Sequence, residues 1–170
     1  MNIAVVTAAD NYYFRPDTTL NREAKDYYCP DGITRLLVTP CVYSRIVKPA
    51  KAISKKFIDR YIDSFDFGFI LDACAAQHGV ATSMDYTTVF PCDFKKLSTA
   101  DDASFELSVN SEVVFSSKGF DKDSLSEAVV SLSARSSLRF GDLVAIPLST
   151  GYIAKIGDRI SFCGREITIF

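Results

Sequence analysis

A chain of 170 residues is the size of one domain with a core of its own, and no linker, repeat or low-complexity tract divides it, so a single domain over residues 1–170 is expected. Hydrophobic residues make up 48% and charged residues 24%, which excludes the low-hydrophobicity, high-charge balance of a disordered chain. The formal charge of −2 arises from 19 basic and 21 acidic residues, with one dense basic cluster, "KPAKAISKKFIDR", and so argues against nucleic acid or an anionic membrane as partner.

The N-terminal "MNIAVVTAAD" has neither the basic segment nor the long apolar core of a signal peptide, and no apolar stretch approaches the ~20 residues that span a bilayer. The five cysteines, Cys29, Cys41, Cys74, Cys92 and Cys163, are odd in number and lack CxxC spacing. That pattern fits reduced thiols in a cytoplasmic setting.

In chain order, "IAVVTA" reads as a strand, and the polar, aromatic stretch that follows, with Pro16, Pro30 and Gly32, reads as loop with short strand pieces. "ITRLLVTPCVYSRIV" is one extended region, with Pro40 predicting an edge position or an interruption because proline donates no ladder hydrogen bond. Pro49, followed by Ile53, Phe57 and Tyr61 at helical spacing, predicts a helix over Lys51 to Ser64. "DFGFILDACAA" and the shorter "YTTVFPCDF" are apolar enough for strands on either side of the only histidine, His78.

"SFELSVNSEVVFSS" alternates with period two around a "VNSE" turn, the mark of a hairpin. In "DKDSLSEAVVSLSARS", Ser124 and Glu127 have the spacing of a capping box ahead of an apolar helix face formed by Leu125, Val129 and Leu132. "GDLVAIPL", "DRISFCG" and "REITIF" complete the chain as strands. The sum is an α+β, β-rich domain with about two helices.

These elements resemble, in order and wording, the fumarylacetoacetate hydrolase family. "YYFRPDTTL" is similar to that family's F-x-K-P-D-T-A-L, and "RIVKPAKAISKKFIDRYIDSFDFGF" to its signature helix region. "FELSVNSEVVFSS" matches its hairpin around V-N-G-E, and "SLSARSSLRFGDLVAIPLSTGYIAKIGDRISF" its C-terminal portion with two Gly-Asp pairs. The resemblance implies a rolled β-structure like the C-terminal domain of the family. It also implies a homodimer, or pairing with a related chain, and an oxygen-ligated Mg²⁺ or Mn²⁺ that holds small oxo acids for hydrolysis, decarboxylation or isomerisation.

Carried over residue by residue, the resemblance places the family's two glutamate ligands at Thr39 and Cys41, on either side of Pro40, and its aspartate ligand at Ile70. A later Arg-Asp pair falls at Cys74 and Ala75, and the hydroxyl-bearing Thr-Gly-Thr-Pro segment at Ile146 to Ser149. The family's lysine and its N-terminal His-Glu pair have no counterpart. Thr39, Cys41 and Ile70 are thus degenerate ligand positions, and a nearly neutral cavity does not hold a hard dication against its hydration.

The expectation is therefore no catalytic residue, no bound metal or other cofactor, and a structural, partner-binding or small-molecule-binding role. Asp72, Cys74, His78, Asp85, Ser149 and Thr150 are the candidates for a residual pocket. Asp72 and Asp85 are the candidate displaced ligands if oxo-acid chemistry persists. His78 reads either as a general base or as a structural side chain. Cys41, Cys74 and His78 read as a soft Zn²⁺ set or as buried thiols beside a loop histidine. Ser149 to Gly151 reads as an anion-binding turn or as an ordinary one.

Overall fold

Two long runs, "RLLVTPCVYSR" and "SFDFGFILDA", form the central pair of strands in the computed structural model, which describes residues 1–74 and 76–170. The strands in chain order are β1 (Ile3–Ala8), β2 (Asn11–Arg15), β3 (Leu20–Asn21), β4 (Arg35–Arg45), β5 (Ser64–Ala73), β6 (Thr88–Val89), β7 (Lys95–Lys96), β8 (Ser104–Val109), β9 (Glu112–Lys118), β10 (Leu143–Pro147), β11 (Tyr152–Lys155), β12 (Arg159–Phe162) and β13 (Arg165–Thr168). Helices α1 (His78–Ala81) and α2 (Lys122–Arg135) are joined by 3-10 turns at Asp17–Thr19, Lys55–Arg60 and Leu97–Asp102.

One sheet runs β2-β1-β10-β4-β5-β6-β3, with β11 also on β4 and β7 also on β5; the other runs β13-β12-β8-β9. β2 and β3 occupy opposite ends of the first order, yet only residues 16–19 separate them in the chain. Four residues cannot cross a flat seven-strand width, so the sheet curls until its two ends meet. This is the rolled, β-rich α+β architecture expected from the sequence.

The central strands are largely apolar because both of their faces are covered. Leu36, Val38 and Val42 of β4, with Phe65, Phe67, Phe69 and Leu71 of β5, pack against Phe105, Ile160, Phe162 and Ile167 of the second sheet. Phe67 and Phe105 stack at 5.0 Å between ring centroids. The alternate side chains, Cys41, Tyr43 and Ile70, point into the roll with Ile3, Val5, Phe90, Leu143 and Ala145. There Tyr43 stacks on Phe90 at 4.6 Å, against Gly68, where a Cβ would stand 2.2 Å from the Val89 carbonyl oxygen. Outside the roll, α2 lays Leu125, Val129 and Leu132 on Ala4, Val6 and Val144.

Tertiary contacts override four local readings. Pro40 neither ends nor edges its strand, because its backbone faces the break where the neighbour of β4 changes from β10 to β11 and its carbonyl accepts from Leu148 N–H at 2.8 Å. The missing N–H on that side leaves no ladder bond unmade.

The helix over Lys51 to Ser64 is instead a single 3-10 stretch, Lys55–Arg60. Ala50 bridges Leu138, Ala52 N–H donates to Ser133 O at 2.8 Å, and Ile53 N–H to Ser133 Oγ at 3.1 Å, so the end of α2 holds the backbone that would start a helix. Ile58 and Ile62 are the side chains buried there, while Phe57 is exposed.

The N-cap of α2 is Asp121, which accepts from Asp123 N–H at 2.9 Å and from Ser124 Oγ at 2.6 Å. Ser124 and Glu127 form no capping box. The strand expected in "YTTVFPCDF" is reduced to Thr88–Val89, and Thr87 and Thr88 direct their hydroxyls to a buried partner described below. The hairpin turn at Asn110 and Ser111 has φ of +51° and +70°, as a two-residue primed turn requires.

Candidate functional site

Leu37 and Asp72 stand directly opposite each other on β4 and β5, and Thr39 stands opposite Ile70 two residues along, so the four side chains share the inner face of the roll. The loop from β10 to β11 closes over them. Gly151 in that loop has φ +88°, and a Cβ on it would lie 2.8 Å from Thr39 Oγ1 and 2.9 Å from Leu37 Cδ1. Only a glycine lets the loop pack this close. What remains is an open cleft of about 490 Å³ whose walls also include Tyr13, Ser149 and Thr150.

Behind the cleft lies a group to which the sequence reading gave no role. Arg15 is 1% exposed, and its guanidinium is held at the seam of the roll. Nη1 donates to Asp72 Oδ1 at 2.5 Å, Nε to Thr88 Oγ1 at 2.9 Å, and Nη2 to Thr87 Oγ1 at 2.7 Å and to the Leu71 carbonyl at 3.3 Å. Thr88 Oγ1 also meets Thr19 Oγ1 at 2.9 Å. One side chain from the end of β2 thus ties down β5 and β6 where the sheet closes.

The strand period offered a clue. Tyr13 and Arg15 alternate onto one face of β2, so the face that brings Tyr13 to the cleft brings Arg15 as well.

The surroundings tune two neighbouring groups. Burial, and to a lesser degree the Asp72 carboxylate, push the Tyr13 hydroxyl up to about 12, against the opposing pull of Arg15. Burial pushes the Cys41 thiol well above its usual range. A thiol held neutral in this way is a poor nucleophile and a poor metal ligand.

The degenerate positions divide. Thr39 and Ile70 line the cleft, whereas Cys41 is 0% exposed and packs among the apolar side chains inside the roll. Of the residual-pocket candidates, Asp72, Ser149 and Thr150 line the cleft.

Cys74, His78 and Asp85 do not. Cys74 follows the end of β5, and Asp85 is exposed. His78 is exposed on α1 and meets the cleft only through Tyr13, whose ring it faces edge-on at 4.8 Å. Ala75 lies outside the described residues. The Ser149 to Gly151 turn has an internal bond, Gly151 N–H to Ser149 Oγ at 3.2 Å, so one donor offered to an anion is already engaged.

A hard dication needs several oxygen ligands, with carboxylates to offset its dehydration. Here the cleft has one carboxylate, and a buried guanidinium already neutralises it. Among the described residues no three His, Cys, Asp or Glu side chains come together as a ligand set. The donor set does not fit Mg²⁺ or Mn²⁺.

Comparison with solved structures identifies the frame. A protein from Yersinia pestis CO92 assigned to the fumarylacetoacetate hydrolase family superposes with a TM-score of 0.76 at 16% identity, over 99% of this chain and 91% of that one. The chain has the fumarylacetoacetate hydrolase fold.

The maleylpyruvate hydrolase of Sphingobium sp. SYK-6 shares this fold at a TM-score of 0.76 and 13% identity, over 99% of this chain and 70% of its own. The fumarylpyruvate hydrolase of Pseudomonas aeruginosa, solved with Mn²⁺ and pyruvate, shares it at 0.72 and 15%, over 99% and 88%. No family model and no curated protein matches the sequence. Among the described residues, no helix of the fumarylacetoacetate hydrolase fold seen here is long and apolar enough to cross a membrane.

Proposed function

We propose that the chain is a non-catalytic, divergent member of the fumarylacetoacetate hydrolase family, and that it acts by binding rather than by metal-dependent turnover. The observation that carries this reading is the pairing of Asp72, the only carboxylate in the cleft wall among the described residues, with the buried Arg15. With Oδ1 held by the guanidinium, Asp72 offers a metal a single oxygen of a carboxylate whose charge is already offset, too little to replace the hydration of a hard dication. The frame that positions a site is kept, while the groups that would perform oxo-acid chemistry are replaced by Thr39, Ile70 and a sealed Cys41. In this reading the chain works as a homodimer or beside a related chain, with the cleft free for a small molecule.

The alternative is a hydrolase, decarboxylase or isomerase of small oxo acids that uses displaced ligands. Of its candidate ligands, Asp72 lines the cleft and is paired with Arg15, whereas Asp85 is exposed and does not line it. The test is turnover of oxaloacetate and acylpyruvates by the full chain with Mg²⁺ or Mn²⁺. Rates equal to those of the metal in buffer are expected; metal-dependent turnover that disappears in Asp72→Asn would overturn the reading.

A further inference from the structure

We infer that the cleft takes a small uncharged polyhydroxylated molecule, of pentose to hexose size, and discriminates against oxo-acid anions. This rests on the non-catalytic reading and adds the ligand's chemistry to it. Charge comes first. Arg15 and Asp72 cancel, and the guanidinium is sealed behind the carboxylate with 0% side-chain exposure against 20% for Asp72. A ligand therefore meets the negative half of a neutral pair. An anion finds no reachable cation in the wall and is repelled by Asp72, and a cation gains from Asp72 only what Arg15 behind it does not cancel.

Hydrogen bonding comes next. Oδ1 of Asp72 is engaged by Arg15, while Oδ2 has no protein partner among the described residues. Thr39 Oγ1 likewise has none among the described residues, and both residues line the cleft. Ser149 Oγ accepts from Gly151 N–H and still has its own proton to give. Oδ2 can only accept, and the two hydroxyls can do either.

A ligand hydroxyl satisfies such a mixture because it donates and accepts at once, whereas a carboxylate can only accept. Leu37, Ile70 and Pro147 complete the wall with apolar surface suited to the C–H face of a polyol. The volume of about 490 Å³ lies within the range of ~300–1,000 Å³ typical of small-molecule sites.

The test is saturation-transfer NMR on the full chain with myo-inositol and D-ribose as neutral probes, pyruvate and oxaloacetate as anions, and propylamine as cation. Transfer to a neutral polyol and none to the anions is expected. Thr39→Val keeps the shape and removes one hydroxyl, and should weaken polyol binding about fivefold; Ser149→Ala should act in the same direction. Both variants leave the Arg15 pair untouched, and a thermal unfolding profile of each alongside the parent chain checks that it is folded.

Stronger transfer to an anion or to propylamine, polyol binding indifferent to both variants, or no transfer to either polyol overturns the inference. Metal-dependent turnover removes the non-catalytic reading itself. A chain inert in that assay that nonetheless prefers pyruvate removes only the ligand class.

Discussion

Arg15 Nη1 lies 2.5 Å from Asp72 Oδ1, with the guanidinium wholly buried and the carboxylate in the cleft wall. A single ion pair thus ties the seam of the roll and neutralises the only carboxylate that lines the cleft among the described residues. Removing one member leaves an uncompensated charge inside, so Asp72→Ala should destabilise the chain by about 3–5 kcal/mol. The same change made in an Arg15→Met background should cost far less. A double-mutant cycle by urea denaturation measures the difference, and additive costs would show that the pair is not coupled.

Gly151→Ala introduces a Cβ at φ +88°, within 2.9 Å of Thr39 and Leu37. Backbone strain alone should cost about 1–2 kcal/mol, with displacement of the β10–β11 loop in addition. Thermal unfolding reads the loss. A fully stable Gly151→Ala variant would mean that the loop does not pack on Thr39.

At the start of α2, Asp121→Ala should lower stability measurably by removing the cap, and Glu127→Gln should change it hardly at all. The Glu127 carboxylate meets only the exposed Lys55, at 3.0 Å. Comparable losses from the two variants in chemical denaturation would restore the capping box that the sequence suggests.

Alkaline pH probes the cleft wall independently. The Tyr13 and Tyr27 hydroxyls are both pushed up to about 12 from an ordinary value of 10, chiefly by burial. A raised folded-state value means that the folded chain holds these protons more tightly than the unfolded one. Their contribution is complete below pH 10 and is lost as the pH rises through 12. Tyr13→Phe should therefore lose less stability over that interval than the parent chain. Parallel pH profiles for the two would contradict the burial of the phenol.

Much of this frame is visible in the sequence. Period-two alternation marks "SFELSVNSEVVFSS" as a hairpin, and continuous apolar character marks β5, because these signals depend on which faces a strand covers. The resemblance to fumarylacetoacetate hydrolases places Thr39, Ile70 and Ser149, which the fold brings to one cleft. It accounts for the lost carboxylates but is silent on the pairing of Asp72 with Arg15.

The misreadings share a physical cause. Ile53, Phe57 and Tyr61 have helical spacing, but Ser133 at the end of α2 takes the N–H groups of Ala52 and Ile53. Pro40 is tolerated in a central strand because of a gap made by residues more than a hundred positions away. The partners of Arg15 are equally remote: Leu71, Asp72, Thr87 and Thr88 all lie more than fifty residues along the chain. The face of β2 that it shares with Tyr13 is the local hint that this arginine is interior.

Titration of the full chain with Mn²⁺, followed by the electron paramagnetic resonance signal of the free ion, tests the central claim most directly. With Asp72 held by Arg15, the free-ion signal should rise in step with added Mn²⁺, as it does without protein. A saturable site of one Mn²⁺ per chain, abolished by Asp72→Asn, would contradict the account.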